Sequence, residues 1–140
     1  MVRESAFWNQ IYRNMRGRWD ATRHEDHSGH GIPDVSYGCR NVNGWIELKK
    51  LDAWPAREKT VVQLRHFTGP QRAFLIQRGR SGNRCFLFLR VQREYLLIPS
   101  ACISLKDTKT KRQLIDTATI LGGYWAQSVD WDHFTNLISK

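Results

Sequence analysis

The stretch Cys85-Phe86-Leu87-Phe88-Leu89 is an unbroken apolar run, preceded by the turn residues Ser81-Gly82-Asn83 and followed by a second turn signal at Gln92-Arg93. Short, aromatic and turn-bounded, it reads as a strand buried on both faces, which requires a sheet with helices packed on each side. The neighbouring segments fit that frame. Residues 3–16 place Phe7, Trp8, Ile11, Tyr12 and Met15 at helical spacing, with Gly17 as the stop. Residues 19–25 read as a first strand, and 33–39 and 44–50 as the next two, joined by the turn-prone Arg40-Asn41-Val42-Asn43. Thr68-Gly69-Pro70 reads as the start of a helix with Gly79 as its stop, and Tyr95 to Ile98 as a strand, antiparallel to the apolar run if Gln92-Arg93 is the turn. The expected class is α/β, a small domain in the order αβββαββ with a mixed central sheet flanked by helices.

At 140 residues the chain is most simply one domain, with a core at about 4–98 and a C-terminal extension at 99–140. In that extension 114–121 is ambiguous between helix and strand, Gly122-Gly123 breaks it, and Trp131 to Ile138 reads as a closing helix with Asp130 near its cap. Twenty-two Lys and Arg against thirteen Asp and Glu give a formal net charge of +9, which favours a polyanionic partner such as nucleic acid. No apolar run approaches the ~20 residues of a membrane span and the start lacks a signal-peptide core, so a cytoplasmic protein with no membrane partner is expected. Cys39, Cys85 and Cys102 are odd in number and widely spaced, as buried free thiols are.

Against this ordinary patterning stands one conflict with packing. In Gly44-Trp45-Ile46-Glu47-Leu48-Lys49, strand alternation sends Ile46 and Leu48 to one face and Glu47 and Lys49 to the other, their Cα atoms roughly 6.5–7 Å apart. Asp34, after Pro33 at the start of a strand able to pair with this one, brings a second carboxylate to the same place. Two carboxylates beside a lysine suit phosphodiester hydrolysis. Asp34, Glu47 and the Leu48 backbone carbonyl are oxygen ligands of the kind Mg²⁺ or Mn²⁺ takes, and Lys49 is placed to orient the attacking water or neutralise charge on the phosphate. No organic cofactor is implied.

Pro33-Asp34 followed by Glu47-Leu48-Lys49 resembles the motif of the PD-(D/E)XK nuclease superfamily. Gln71, opening a helix after Glu-X-Lys, is typical of its VRR-NUC and archaeal Holliday-junction resolvase-like branches. The resemblance covers about residues 4–98. It implies that Gln71 sits near the scissile phosphate, with Arg72 and Arg78 as backbone contacts. Glu4, an acid on the apolar stripe of the first helix, matches the first-helix acid of many members and would help bind the metal; Glu25 is the alternative. A basic track of Lys50, Arg57, Lys59, Arg65 and His66 flanks the site. His24, His27 and His30 lie at three-residue steps, but the glycines beside His30 argue against a helical zinc cluster and for solvated or phosphate-contacting roles, His30 among them.

These observations together point to a metal-dependent endonuclease of DNA. The resemblance implies structure-selective cleavage of branched substrates such as Holliday junctions, a homodimer to cut both sides of a junction, a place in repair and recombination, and a phage or mobile-element source. A flap-cutting or non-specific nuclease shares the same residues. A basic nucleic-acid-binding module without catalysis, and a zinc-binding histidine loop, are the alternatives from other classes.

Overall fold

The computed structural model describes residues 4–122 and 129–140, the side chains of Glu4 and Ser5 excepted. Its elements are α1 (Glu4–Met15), β1 (Asp20–Arg23), β2 (Val35–Cys39), β3 (Val42–Leu51), α2 (Gly69–Arg80), β4 (Arg84–Val91), β5 (Glu94–Pro99), a 3-10 turn at Ser100–Cys102, α3 (Lys111–Thr117), β6 (Thr119–Gly122) and α4 (Trp131–Ile138). The six strands form one sheet in sequence order. Only β3 and β4 are parallel; the other neighbours pair antiparallel. The mixed α/β sheet with flanking helices is the expected class, and its first seven elements run αβββαββ.

Local chemistry accounts for the boundaries. Arg40 and Asn41 both adopt left-handed backbone conformations, φ 52° and 67°, the geometry of a two-residue hairpin turn. Cys39 therefore pairs directly with Val42, and β3 begins two residues earlier than its apolar pattern suggests. Thr68 caps α2: its hydroxyl accepts the Gln71 N–H while the Gln71 side chain accepts the Thr68 N–H, and Pro70 sits in the first turn. The same box, Thr110 with Gln113, starts α3 and resolves the ambiguous 114–121 segment into a helix followed by a strand. Asp130 caps α4 by accepting the His133 N–H. The residues after Pro99 thus add a sixth strand to the sheet and a helix to each of its faces.

β4 lies at the centre with its side chains alternating between two cores. Phe86 and Phe88 join Phe7, Ile11 and Met15 of α1 and Phe134 and Ile138 of α4 on one face, where Ile46 and Leu48 of β3 also point. Leu87 and Leu89 join Leu75 of α2, Leu114 of α3 and Val62, Leu64 and Phe67 of the preceding loop on the other. Each fully buried side chain of this size stabilises the fold by about 1.5–3 kcal/mol, so a strand that feeds both cores anchors both layers. Cys39 and Cys85 are buried free thiols, while Cys102 is partly exposed. No helix among the described residues is long and apolar enough to cross a membrane.

The parallel β3–β4 pair depends on a close approach at Gly44. A Cβ there would lie 1.8 Å from the Arg84 carbonyl oxygen and 2.6 Å from the Tyr37 hydroxyl. Both are fixed, since that hydroxyl donates to the Arg84 and Ile138 carbonyls at 3.0 and 2.9 Å. Gly44→Ala should destabilise the protein by about 2 kcal/mol or more, read as a lower urea midpoint.

Candidate active site

The site forms where β2 stops pairing with β3. The ladder ends at Val35–Ile46, and preceding Val35 comes Asp34, then Pro33, which has no N–H to continue it. Side chains take over the next rung. The Asp34 N–H donates to Glu47 Oε1 at 3.0 Å, and the Leu48 N–H donates to Asp34 Oδ2 at 2.9 Å. These reciprocal bonds hold the two carboxylates side by side. Because a strand residue turns its N–H and C=O to the same side, the Leu48 carbonyl also faces Asp34.

The remaining carboxylate oxygens face cations. Arg23 Nη1 lies 3.1 Å from Asp34 Oδ1, and Lys49 Nζ lies 3.3 Å from Glu47 Oε2. Glu47 is fully buried and Lys49 is 8% exposed. The Lys49 contact falls outside hydrogen-bond geometry, so Oε2 is a buried oxygen without a hydrogen-bond partner among the described residues. Burial foremost, and then the Asp34 charge, push the Glu47 carboxyl up to about 8, with Lys49 opposing. An orphaned, desolvated carboxylate oxygen beside a second carboxylate and a backbone carbonyl is a donor set suited to a hard divalent cation. Among the described residues no three His, Cys, Asp or Glu side chains converge, so such an ion would complete its shell with water.

The face that carries this pair is the α2 face. Trp45 lies on it, packed edge-on against Phe74 at 4.9 Å, with Arg78 over the Phe74 ring at 4.8 Å; Arg78 is exposed. Arg57, Lys59, Arg65 and His66 are exposed on the segment whose Val62, Leu64 and Phe67 pack on this same face. His30 is exposed in the loop before Asp34. That loop docks on the start of α2, where a Cβ on Gly31, φ +81°, would come within 2.3 Å of the Pro70 carbonyl carbon. Gln71 therefore stands beside the loop leading into Asp34, with its side-chain oxygen committed to the helix cap. The Glu4 side chain lies outside the described residues. Glu25 is exposed beside His27, at 3.6 Å.

Two of the residues expected to contact nucleic acid, Arg72 and Lys50, have their charges buried. Arg72 is 5% exposed, donates to the Phe67 and Ser104 carbonyls and pairs with Asp107 at 2.6 Å, so its charge is spent inside the α2 core. Lys50 follows Ile46 and Leu48 in the strand alternation to the opposite face of the sheet, where its ammonium is buried. The zinc alternative also fails to assemble, because His24 turns to Ser36, Nε2 to Oγ 2.7 Å, and stacks near Trp45 at 5.4 Å.

Three contributors escape sequence reasoning. Arg23 reaches Asp34 from β1. His24 donates its N–H to the Asp34 carbonyl at 2.7 Å. Asp26 accepts the N–H groups of Ser28, Gly31 and Ile32 and the Ser28 hydroxyl, which with the hydroxyl leading lower its carboxyl to about 2 and pin the loop. Only the last has a local signal, an Asp opening a Ser-Gly-rich turn.

Sequence comparison finds no matching family model and no matching curated protein. Among solved structures the chain is similar to Hjc, a Holliday junction resolvase from the archaeal hyperthermophile Archaeoglobus fulgidus. The likeness covers 81% of this chain and 86% of that one, with a TM-score of 0.53 at 13% sequence identity. The chain has a resolvase-like fold.

The raised Glu47 carboxyl fixes a pH dependence. Its proton is held more tightly folded than unfolded, so the stability it contributes is complete below pH 4.5 and is lost as pH rises through about 8. In EDTA, the stability of the unaltered protein relative to Glu47→Gln should fall by roughly 2–4 kcal/mol between pH 5 and pH 9, measured by denaturation of both at each pH. A constant difference would show that Glu47 titrates as an ordinary carboxylate.

Proposed function

We propose that this chain is a divalent-metal-dependent endonuclease of the PD-(D/E)XK type that hydrolyses DNA phosphodiester bonds and selects branched DNA such as Holliday junctions. The observation that carries the proposal is the pair of carboxylates, Asp34 and Glu47, locked together beside Lys49 with one buried oxygen left unbonded. The resolvase-like fold supports it, as does the net charge of +9.

In this mechanism Asp34, Glu47 and the Leu48 carbonyl would hold Mg²⁺ or Mn²⁺, with Glu4 assisting. Such an ion, when bound, would supply Lewis acidity for the phosphoryl oxygen and for the attacking water. Lys49, held by burial against Glu47, presents a fixed positive charge where the phosphate gains negative charge, and orients the water. Glu47 would have to be ionised to serve as a ligand, so metal binding there would release its proton. The exposed Arg57, Lys59, Arg65, His66, Arg78 and His30 lie along the DNA backbone, a salt-sensitive interaction. Gln71 positions the scissile group from the start of α2. Symmetric cuts across a junction need two such sites and hence a homodimer.

The test is gel-resolved cleavage of a labelled four-way junction, a 5′ flap, linear duplex and single strand, with Mg²⁺, Mn²⁺ or EDTA. Paired nicks on the junction in either metal, absent in EDTA and reduced by 100-fold or more (on the order of the ~3 kcal/mol that one electrostatic catalytic group supplies) in Glu47→Gln and Lys49→Ala, are expected. Junction binding without cleavage in every metal would instead establish a nucleic-acid-binding module whose acid pair is structural.

A further inference from the structure

The site carries positive charge of its own beside both carboxylates. One nitrogen of Arg23 contacts three oxygens at once: the Asp34 carboxylate at 3.1 Å, the Asp34 carbonyl at 3.3 Å and the His24 carbonyl. Asp34 Oδ2 accepts the Leu48 N–H, which holds the carboxylate in place, and Arg23 sits on the other oxygen, Oδ1. Lys49 faces the matching oxygen of Glu47 at 3.3 Å without a hydrogen bond. Each carboxylate is thus tied at one oxygen by backbone and shielded at the other by a basic side chain.

We infer that Arg23 is a positioning residue that covers the cation-binding oxygen of Asp34 in the cation-free protein, and that it turns to a DNA phosphate when a divalent ion takes that oxygen. The inference rests on the endonuclease reading above. Its basis is geometric: a guanidinium and a divalent ion repel at the same oxygen, so one yields to the other. Arg23 is the partner able to yield, since its side chain is 29% exposed whereas the Asp34 carboxylate, 16% exposed, is fixed by β3. A partly exposed ion pair is weak enough to exchange. Among the described residues only Nη1 of Arg23 donates a hydrogen bond, leaving the rest of the planar fork for a phosphate, which it matches in shape.

Calorimetric titration of Mn²⁺ into the unaltered chain, Arg23→Gln and Arg23→Lys, without DNA, tests the first half of the inference. Junction-DNA affinity in Ca²⁺ against EDTA tests the second. Arg23→Gln should bind Mn²⁺ about three- to tenfold more tightly, having lost its competitor, and should lose a similar factor of the Ca²⁺-dependent gain in DNA affinity. Arg23→Lys, which keeps the charge and removes the fork, should bind Mn²⁺ much as the unaltered chain does and still lose the DNA gain. Weaker or unchanged Mn²⁺ binding by Arg23→Gln, with binding by the unaltered chain intact, overturns this inference alone and makes Arg23 a fixed support of Asp34. Absence of Mn²⁺ binding by the unaltered chain overturns the endonuclease reading, and this inference with it.

Discussion

The pair of bonds by which the Asp34 N–H is taken by the Glu47 carboxylate and the Leu48 N–H by the Asp34 carboxylate is the constraint on which the site depends. Were β2 to continue its ladder past Val35, the β3 edge would be used up by backbone pairing. Because Pro33 cannot donate, the strands part after one more residue, and the Leu48 N–H is satisfied by a carboxylate instead. That carboxylate then lies against Glu47, which β3 holds in the middle of a sheet covered on both faces. Burial supplies the unusual chemistry. A desolvated carboxyl with a neighbouring negative charge and one oxygen without a hydrogen bond keeps its proton to about pH 8 despite Lys49, and further positive charge beside it stabilises the anion.

The sheet divides its labour between faces. The side under α1 and α4 is almost wholly apolar and supplies packing, while the α2 side carries Glu47, Lys49, Trp45 and the exposed basic loop above Val62, Leu64 and Phe67. β4 serves both. The loop from Asp26 to Gly31 joins the layers at the site, pinned internally by the Asp26 carboxylate and externally by the contact of Gly31 with the start of α2. Asp34 is therefore positioned from β1, β3 and α2 rather than by its own strand alone.

Much of this was legible in the residues because the controlling interactions are local. The double-sided burial of β4 follows from its unbroken apolar run, the α2 start from Thr68-Gly69-Pro70, and the shared face of Glu47 and Lys49 from strand alternation. The same alternation sends Lys50 the other way, a consequence that the density of positive charge around it obscures. Arg72 shows the complementary failure: a cation in a basic chain looks like surface until Asp107, 35 residues away, is seen to pair with it. Arg23 and the His24–Ser36 bond were illegible for the same reason, since they depend on how β1 registers against β2. The α3–β6 boundary was ambiguous because Thr and Ile suit a strand as well as they suit a helix anchored by a cap.

The most direct test of the central claim, that Glu47 is held as a desolvated acid awaiting a cation, is a ¹³C NMR titration of the Glu47 side-chain carboxyl in labelled protein, with EDTA and then with saturating Mg²⁺. A midpoint near 8 without the cation is expected, falling by two units or more, about 3 kcal/mol, when Mg²⁺ is present. A midpoint near 4.5 under both conditions would contradict it.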